Sequence, residues 1–169
     1  MDAVDGPQLT TNAAGIALIK GFESCSLTPY QDEGGLWTNG WGHTNGVPID
    51  RPITQEEADA NFLVDLAETE GILNRLLPAP QLSANQFSAL VSFCFNVGFG
   101  RADLPGKAGR DGFYMLKNGQ NSTMYKCILS NEFGLAALEF PKWDHIGRGV
   151  SSGLLRRRQA EQALFLQES

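Results

Sequence analysis

Apolar positions recur at helical spacing in several stretches of the chain. Ile16, Ile19 and Phe22 fall on one side of a segment that Thr11 or Asn12 can cap and that runs to about Glu23. Thr54-Gln-Glu-Glu57 has the form of a capping box, and the helical pattern behind it continues to Leu77, where Pro78 stops it. About 24 residues at ~1.5 Å each make a rod of roughly 36 Å. That is long for a small domain and suits a connector between two lobes. A second box, Ser83-Ala-Asn-Gln86, opens a helix whose Phe87, Leu90, Val91, Cys94 and Val97 form a core stripe. Gly98 and Gly100 end it. Shorter helices are expected near 113–119, 122–130 and 132–139, and a last one from Ser151 or Ser152 to about Gln167. Between Pro29 and Val47 the pattern changes. Gly34, Gly35, Gly40, Gly42 and Gly46 lie among aromatic and Thr residues, with turn signals at Asp32–Gly35, Asn39–Gly40 and Asn45–Gly46. This predicts a small curved β-hairpin or three-strand meander. Residues 1–9 are a polar, loosely packed tail, which leaves 10–169 as a single domain of two lobes. The fold class is α+β, with a small N-terminal β-lobe joined by a long helix to a mainly helical C-terminal lobe.

The composition is that of a globular chain, with 42% apolar and 19% charged residues in 169. Charge is unevenly distributed. Residues 1–100 hold 3 basic against 12 acidic residues and residues 101–169 hold 10 against 7, for a net charge of −6. An acidic whole argues against a nucleic-acid binder, although the basic second half can face an anionic polymer. Cys25, Cys94 and Cys127 are an odd number without an export signal, so reduced thiols are expected. The apolar run Ala13–Ile19 ends at Lys20. It is too short to span a membrane and lacks the basic flank and cleavage site of a signal peptide. Gly106-Lys-Ala-Gly-Arg-Asp-Gly112 lacks the order of a phosphate loop, so 101–112 reads as an exposed loop.

The candidate chemistry lies around the hairpin. Glu23 closes the first helix beside Phe22. The negative helix end and partial burial both favour its protonated form. Asp32 sits in a turn rich in backbone N–H groups, which favours the carboxylate. Two carboxyls pushed apart in this way are what glycoside hydrolysis requires, one as acid and one as base or nucleophile. Thr38, six residues on, can direct a hydroxyl to the same cleft. Trp37 and Trp41 could stack on sugar faces or pack under the hairpin. Arg156, Arg157 and Arg158 cannot share one helix face. They form a solvated surface, or Arg157 or Arg158 reaches Glu23 or an anionic polymer.

The spacing of Glu23, Asp32 and Thr38, followed by Gly40-Trp-Gly42-His43-Thr44, resembles the catalytic signature of the tailed-phage lysozymes (endolysins), glycoside hydrolase family 24. The resemblance extends through Ile53-Thr54…Glu57-Ala58, through Gln86 to Asn96-Val-Gly98, and through Gly153-Leu154…Arg157-Arg158…Glu161…Leu164-Phe165. It covers about residues 10–167 and implies a lysozyme-like fold. By resemblance, Glu23 is the general acid, Asp32 the carboxylate that positions or activates water, and Thr38 the hydroxyl that holds that water. The reaction implied is inverting hydrolysis of the β-1,4 bond between N-acetylmuramic acid and N-acetylglucosamine in peptidoglycan. Inversion requires carboxyls about 6.5–9.5 Å apart. Asn96 matches a polar residue of the cleft and Trp143 a cleft-side aromatic; a helix-end amide and a core tryptophan are the plainer readings. His43 matches a structural histidine paired with an aspartate on the long helix, here Asp65. The resemblance further implies a monomer without metal or cofactor that does not associate stably with membranes. It accumulates in the bacterial cytoplasm and reaches the periplasm and cell wall once a holin has permeabilised the membrane.

Two other chemistries compete. A lytic transglycosylase needs only the Glu and forms an anhydro-sugar, whereas Asp32 and Thr38 argue for attack by water. A zinc-dependent amidase could draw on His43, His145 and Cys127, but their spacing is not that of a metal site. Such an enzyme would lose activity in EDTA.

Overall fold

The computed structural model describes residues 8–32, 34–78, 81–146 and 149–168. Helix α1 spans Ala13–Phe22 and is capped by Asn12, whose side chain accepts from the Gly15 N–H. Strands β1 (Ser26–Gln31) and β2 (Trp37–Gly40) pair antiparallel, with Tyr30 opposite Thr38 and a bulge toward Ser26. A single bridge, Asn39 with His43, carries the chain past β2. The β-unit is therefore a two-stranded hairpin rather than a meander, and it begins three residues before Pro29.

Helix α2 runs over Gln55–Leu76, 22 residues, and α3 over Ala84–Val97; both open with the expected capping boxes. At 1.5 Å per residue α2 is about 33 Å long. It leads from the hairpin, where Gly40 meets Ala58, to the core of the helical lobe through Phe62, Leu66 and Leu73. Then come α4 (Thr123–Leu129), α5 (Phe133–Glu139), a 3-10 turn at Phe140–Lys142, a pair of two-residue strands β3 (His145–Ile146) and β4 (Gly149–Val150), and α6 (Ser152–Leu166). The two-residue strands are too short to leave a period in the sequence. Among the described residues no helix is long and apolar enough to cross a membrane.

The expected helix at 113–119 does not form. Its backbone is claimed from elsewhere. The Phe113 N–H donates to Gly98 O at 3.0 Å, and the Tyr114 and Met115 N–H groups donate to Phe99 O at 3.1 and 2.9 Å. This pairing needs two backbones in direct contact. A Cβ on Gly100 would lie 1.8 Å from Met115 O, and one on Gly112 would lie 2.1 Å from Gly100 N. Residues 101–110 form an exposed hairpin of their own, bridged at Arg101–Arg110 and Leu104–Lys107.

The core is an aromatic cluster wrapped around α3. Phe93 meets Phe113, Phe140 and Trp143 edge-on at centroid distances of 6.4, 5.6 and 5.4 Å, and Phe140 meets Phe165 at 5.5 Å. Of the expected tail 1–9, residues 1–7 lie outside the described residues. Leu9 is gripped by Asn74, which accepts from its N–H at 3.0 Å and donates to its carbonyl at 2.9 Å.

Candidate active site

The end of α1 and the hairpin set the two carboxyls. Glu23 leaves the helix in an extended conformation, its N–H still bonded to Ile19 O at 2.8 Å. Its Oε1 receives the Arg157 Nη1 hydrogen bond at 2.6 Å. Its Oε2 points toward the far end of the hairpin, where a Cβ on Gly42 would lie 3.5 Å away. The positive φ of Gly42 suits glycine there. Asp32 is fixed by its own turn, its Oδ1 accepting from Gly34 N and Leu36 N, both at 2.9 Å. Leu36 O in turn accepts from the Asp32 N–H at 2.9 Å and from the Thr38 hydroxyl at 3.1 Å. One carbonyl thus ties Thr38, which is buried, to the Asp32 turn.

A cleft of about 1000 Å³ lies between this turn and the helical lobe. Asp32 and Gly34 form one wall, and Asn96, Arg110, Lys142 and Trp143 stand among the residues opposite. Of the expected site residues, Asp32, Asn96 and Trp143 line this cleft, whereas Glu23, Thr38, His43 and Asp65 are not among its lining residues. Asn96 accepts at Oδ1 from Arg158 Nη2 at 2.6 Å. Trp143 both borders the cleft and packs on Phe93. His43 Nδ1 lies 2.8 Å from Asp65 Oδ2, joining the hairpin to α2.

Trp41 packs beneath the hairpin. Its Nε1 donates to Asp59 at 2.8 Å, its ring meets Phe62, and Lys20 Nζ lies 4.7 Å over it. Trp37 stays exposed.

At the arginine run the structure takes one of the two alternatives the sequence leaves open, with Arg157 reaching Glu23. Arg157 and Arg158 are 3% and 0% exposed, so they are no solvated surface. Besides Glu23, Arg157 donates from Nε to Glu161 Oε1 at 3.1 Å and from Nη2 to Ser92 O at 3.3 Å. Ser92 Oγ donates to the same Glu161 oxygen at 2.8 Å. Arg158 Nε lies 3.2 Å from Glu161 Oε2 without the alignment of a hydrogen bond, and its guanidinium sits 4.9 Å over the Phe93 ring. Burial pushes the Glu161 carboxyl up from its ordinary range, opposed by Arg158, Arg157 and Ser92; burial likewise pushes the Arg158 guanidinium down, opposed by Glu161. Glu161 escaped the sequence reading as a functional residue. The available signal was its spacing, three residues from Arg158 and four from Arg157, on the same helix as the apolar Leu164 and Phe165.

Among the described residues no group of three or more His, Cys, Asp or Glu side chains could hold a metal ion. His43 is taken by Asp65, His145 lies 2.5 Å from Asp144, and Cys127 is buried on α4.

A family model described as phage lysozyme matches residues 20–161. An endolysin of Acyrthosiphon pisum secondary endosymbiont phage 1 is 35% identical over 89% of this chain and 94% of its own length. An endolysin of Bacillus phage PZA is 34% identical over 90% of this chain, which spans only 53% of that relative. Among solved structures, the active form of P1 phage endolysin Lyz superposes with a TM-score of 0.75 at 26% identity, covering 92% of this chain and 84% of that one. With the lysozyme-like fold and a carboxylate-bearing cleft already in place, these matches make the chain a member of the phage lysozyme family, a glycosidase of the muramidase type that hydrolyses peptidoglycan.

Proposed function

We propose that this enzyme cleaves the β-1,4 bond between N-acetylmuramic acid and N-acetylglucosamine by direct attack of water with inversion. Glu23 donates its proton to the leaving glycosidic oxygen. Asp32 orients and activates the water, and Thr38, held to the same Leu36 carbonyl, completes its seat. Asn96 and Trp143 bind the glycan on the opposite wall. His43 and Asp65 keep the hairpin on α2. The observation that carries this reading is the placement of Asp32 in an open cleft faced by Asn96 and Trp143. The Glu23 carboxyl is meanwhile turned toward the same hairpin at Gly42. Inversion needs a carboxyl separation of about 6.5–9.5 Å in the working enzyme.

Residues 10–169 act as one two-lobed catalytic domain, as a monomer. The enzyme waits in the host cytoplasm and reaches the wall through membrane opened by a holin. Cells expressing the enzyme should stay intact until their membrane is permeabilised, and lysis without permeabilisation would refute the dependence.

Digestion of purified peptidoglycan in H2-18O tests the chemistry. Hydrolysis leaves reducing muramic acid carrying the label, and the first anomer formed is inverted. An unlabelled anhydro-sugar would establish transglycosylation instead. Asp32→Asn should abolish turnover while the far-UV spectrum and melting curve stay those of the parent.

A further inference from the structure

We infer that Glu161 is a positioning residue for this reaction, holding Arg157 against Glu23 and balancing the second buried guanidinium, Arg158. The inference rests on the reading of Glu23 as the general acid. Three elements meet at the cluster. Helix α6 supplies Arg157, Arg158 and Glu161; α3 supplies Ser92, Cys94 and Asn96; the end of α1 supplies Glu23. Glu161 is 0% exposed, and burying a carboxylate needs a compensating reason. The hydrogen bonds supply one. Ser92 Oγ and Arg157 Nε converge on a single Glu161 oxygen, which fixes the guanidinium plane, and the outer Nη1 of that plane is the group that reaches Glu23.

Charge completes the argument. Two guanidinium groups lie together in a medium of low dielectric, facing two carboxyls. Cys94 is the remaining titratable neighbour, and burial keeps its thiol protonated. Arg158 is also held by Asn96 and the Phe93 ring, so it stays in place whatever Glu161 does. With Glu161 neutralised, two cations face the lone carboxyl of Glu23, and an acid that must keep its proton until the transition state loses it too early. With Arg158 removed instead, Glu161 satisfies Arg157 alone and Glu23 feels less positive charge.

The two changes therefore move the alkaline limb of the pH–rate profile in opposite directions. Glu161→Gln keeps the shape and the Ser92 bond, and should lower kcat near neutral pH with little change in KM and move that limb down by about one pH unit. Arg158→Met should move it up. Rates are measured on peptidoglycan across pH, beside melting curves for each folded variant. If Glu161→Gln does not fold, the direction of the Arg158→Met shift decides. Unchanged limbs in active variants refute the role of Glu161 and leave Glu23 standing. A wild-type enzyme that yields no reducing muramic acid overturns the general-acid reading, and this inference with it.

Discussion

Helix α1 carries Glu23, and its seat on α3 depends on a glycine. General helix propensity says that Gly15→Ala should stabilise the protein by about 1 kcal/mol, since alanine is the better helix former. The packing reverses that sign. A Cβ at position 15 would meet Ser88 Cβ at 2.6 Å and Thr11 Cγ2 at 2.7 Å. Ser88 is fully buried on α3, and its hydroxyl donates to Ala84 O at 2.7 Å while accepting from the Asn12 N–H at 2.9 Å. Moving Ser88 aside would loosen the residue that caps α1. Overpacking of this kind costs about 1–3 kcal/mol. The net expectation is a loss of up to about 2 kcal/mol, which lowers Tm by up to roughly 8 °C in a domain of this size. Gly21 provides the internal control. It lies in the same helix, and nothing stands within 4 Å of an added Cβ. Gly21→Ala should raise Tm by about 1–4 °C. Thermal melts and urea curves of both variants decide the matter. A rise in Tm for Gly15→Ala would show that α1 and α3 can part without cost, and would remove the packing argument for the placement of Glu23.

Two further outcomes are expected. His43→Ala removes the contact between hairpin and α2 and should cost about 1.5–3 kcal/mol of stability in melting experiments, with activity retained per folded molecule; activity lost at unchanged Tm would instead place His43 in the chemistry. Glu57→Gln keeps the amide geometry of the capping box but removes the charge that the Arg51 hydrogen bond and the Thr54 N–H hold down to about 2, against an ordinary 4.5. The wild-type advantage is complete above about 4.5 and fades as pH falls toward about 2, so melts taken across that window should converge, and a gap that persists at the acid end would contradict the assignment.

What could be read from the chain alone was whatever local chemistry decides. Thr54 with Glu57, and Ser83 with Gln86, satisfy backbone groups three residues away, so α2 and α3 start where the pattern says. Asp32 was legible for the same reason, because its turn bonds to Gly34 and Leu36 are short-range. The helix expected at 113–119 failed because Gly98 and Phe99 capture those N–H groups across a glycine-lined approach that no local period announces. The environment of Glu23 was only half visible. Its helix end and burial follow from position, but the opposing cation comes from Arg157, 134 residues away. For Arg157 and Arg158 the chain leaves a solvated face and a reach to Glu23 both open, because charge normally marks the outer side of a helix. Their burial is compensated by Glu161 together with Glu23, Ser92, Asn96 and the Phe93 ring, partners that come from three separate elements.

Turnover of purified peptidoglycan by Glu23→Gln tests the account most directly, provided the variant melts as a folded protein. The proposed mechanism predicts a fall of at least 10²–10⁴-fold, roughly the contribution of a general acid. A folded Glu23→Gln that clears peptidoglycan at the wild-type rate would contradict it.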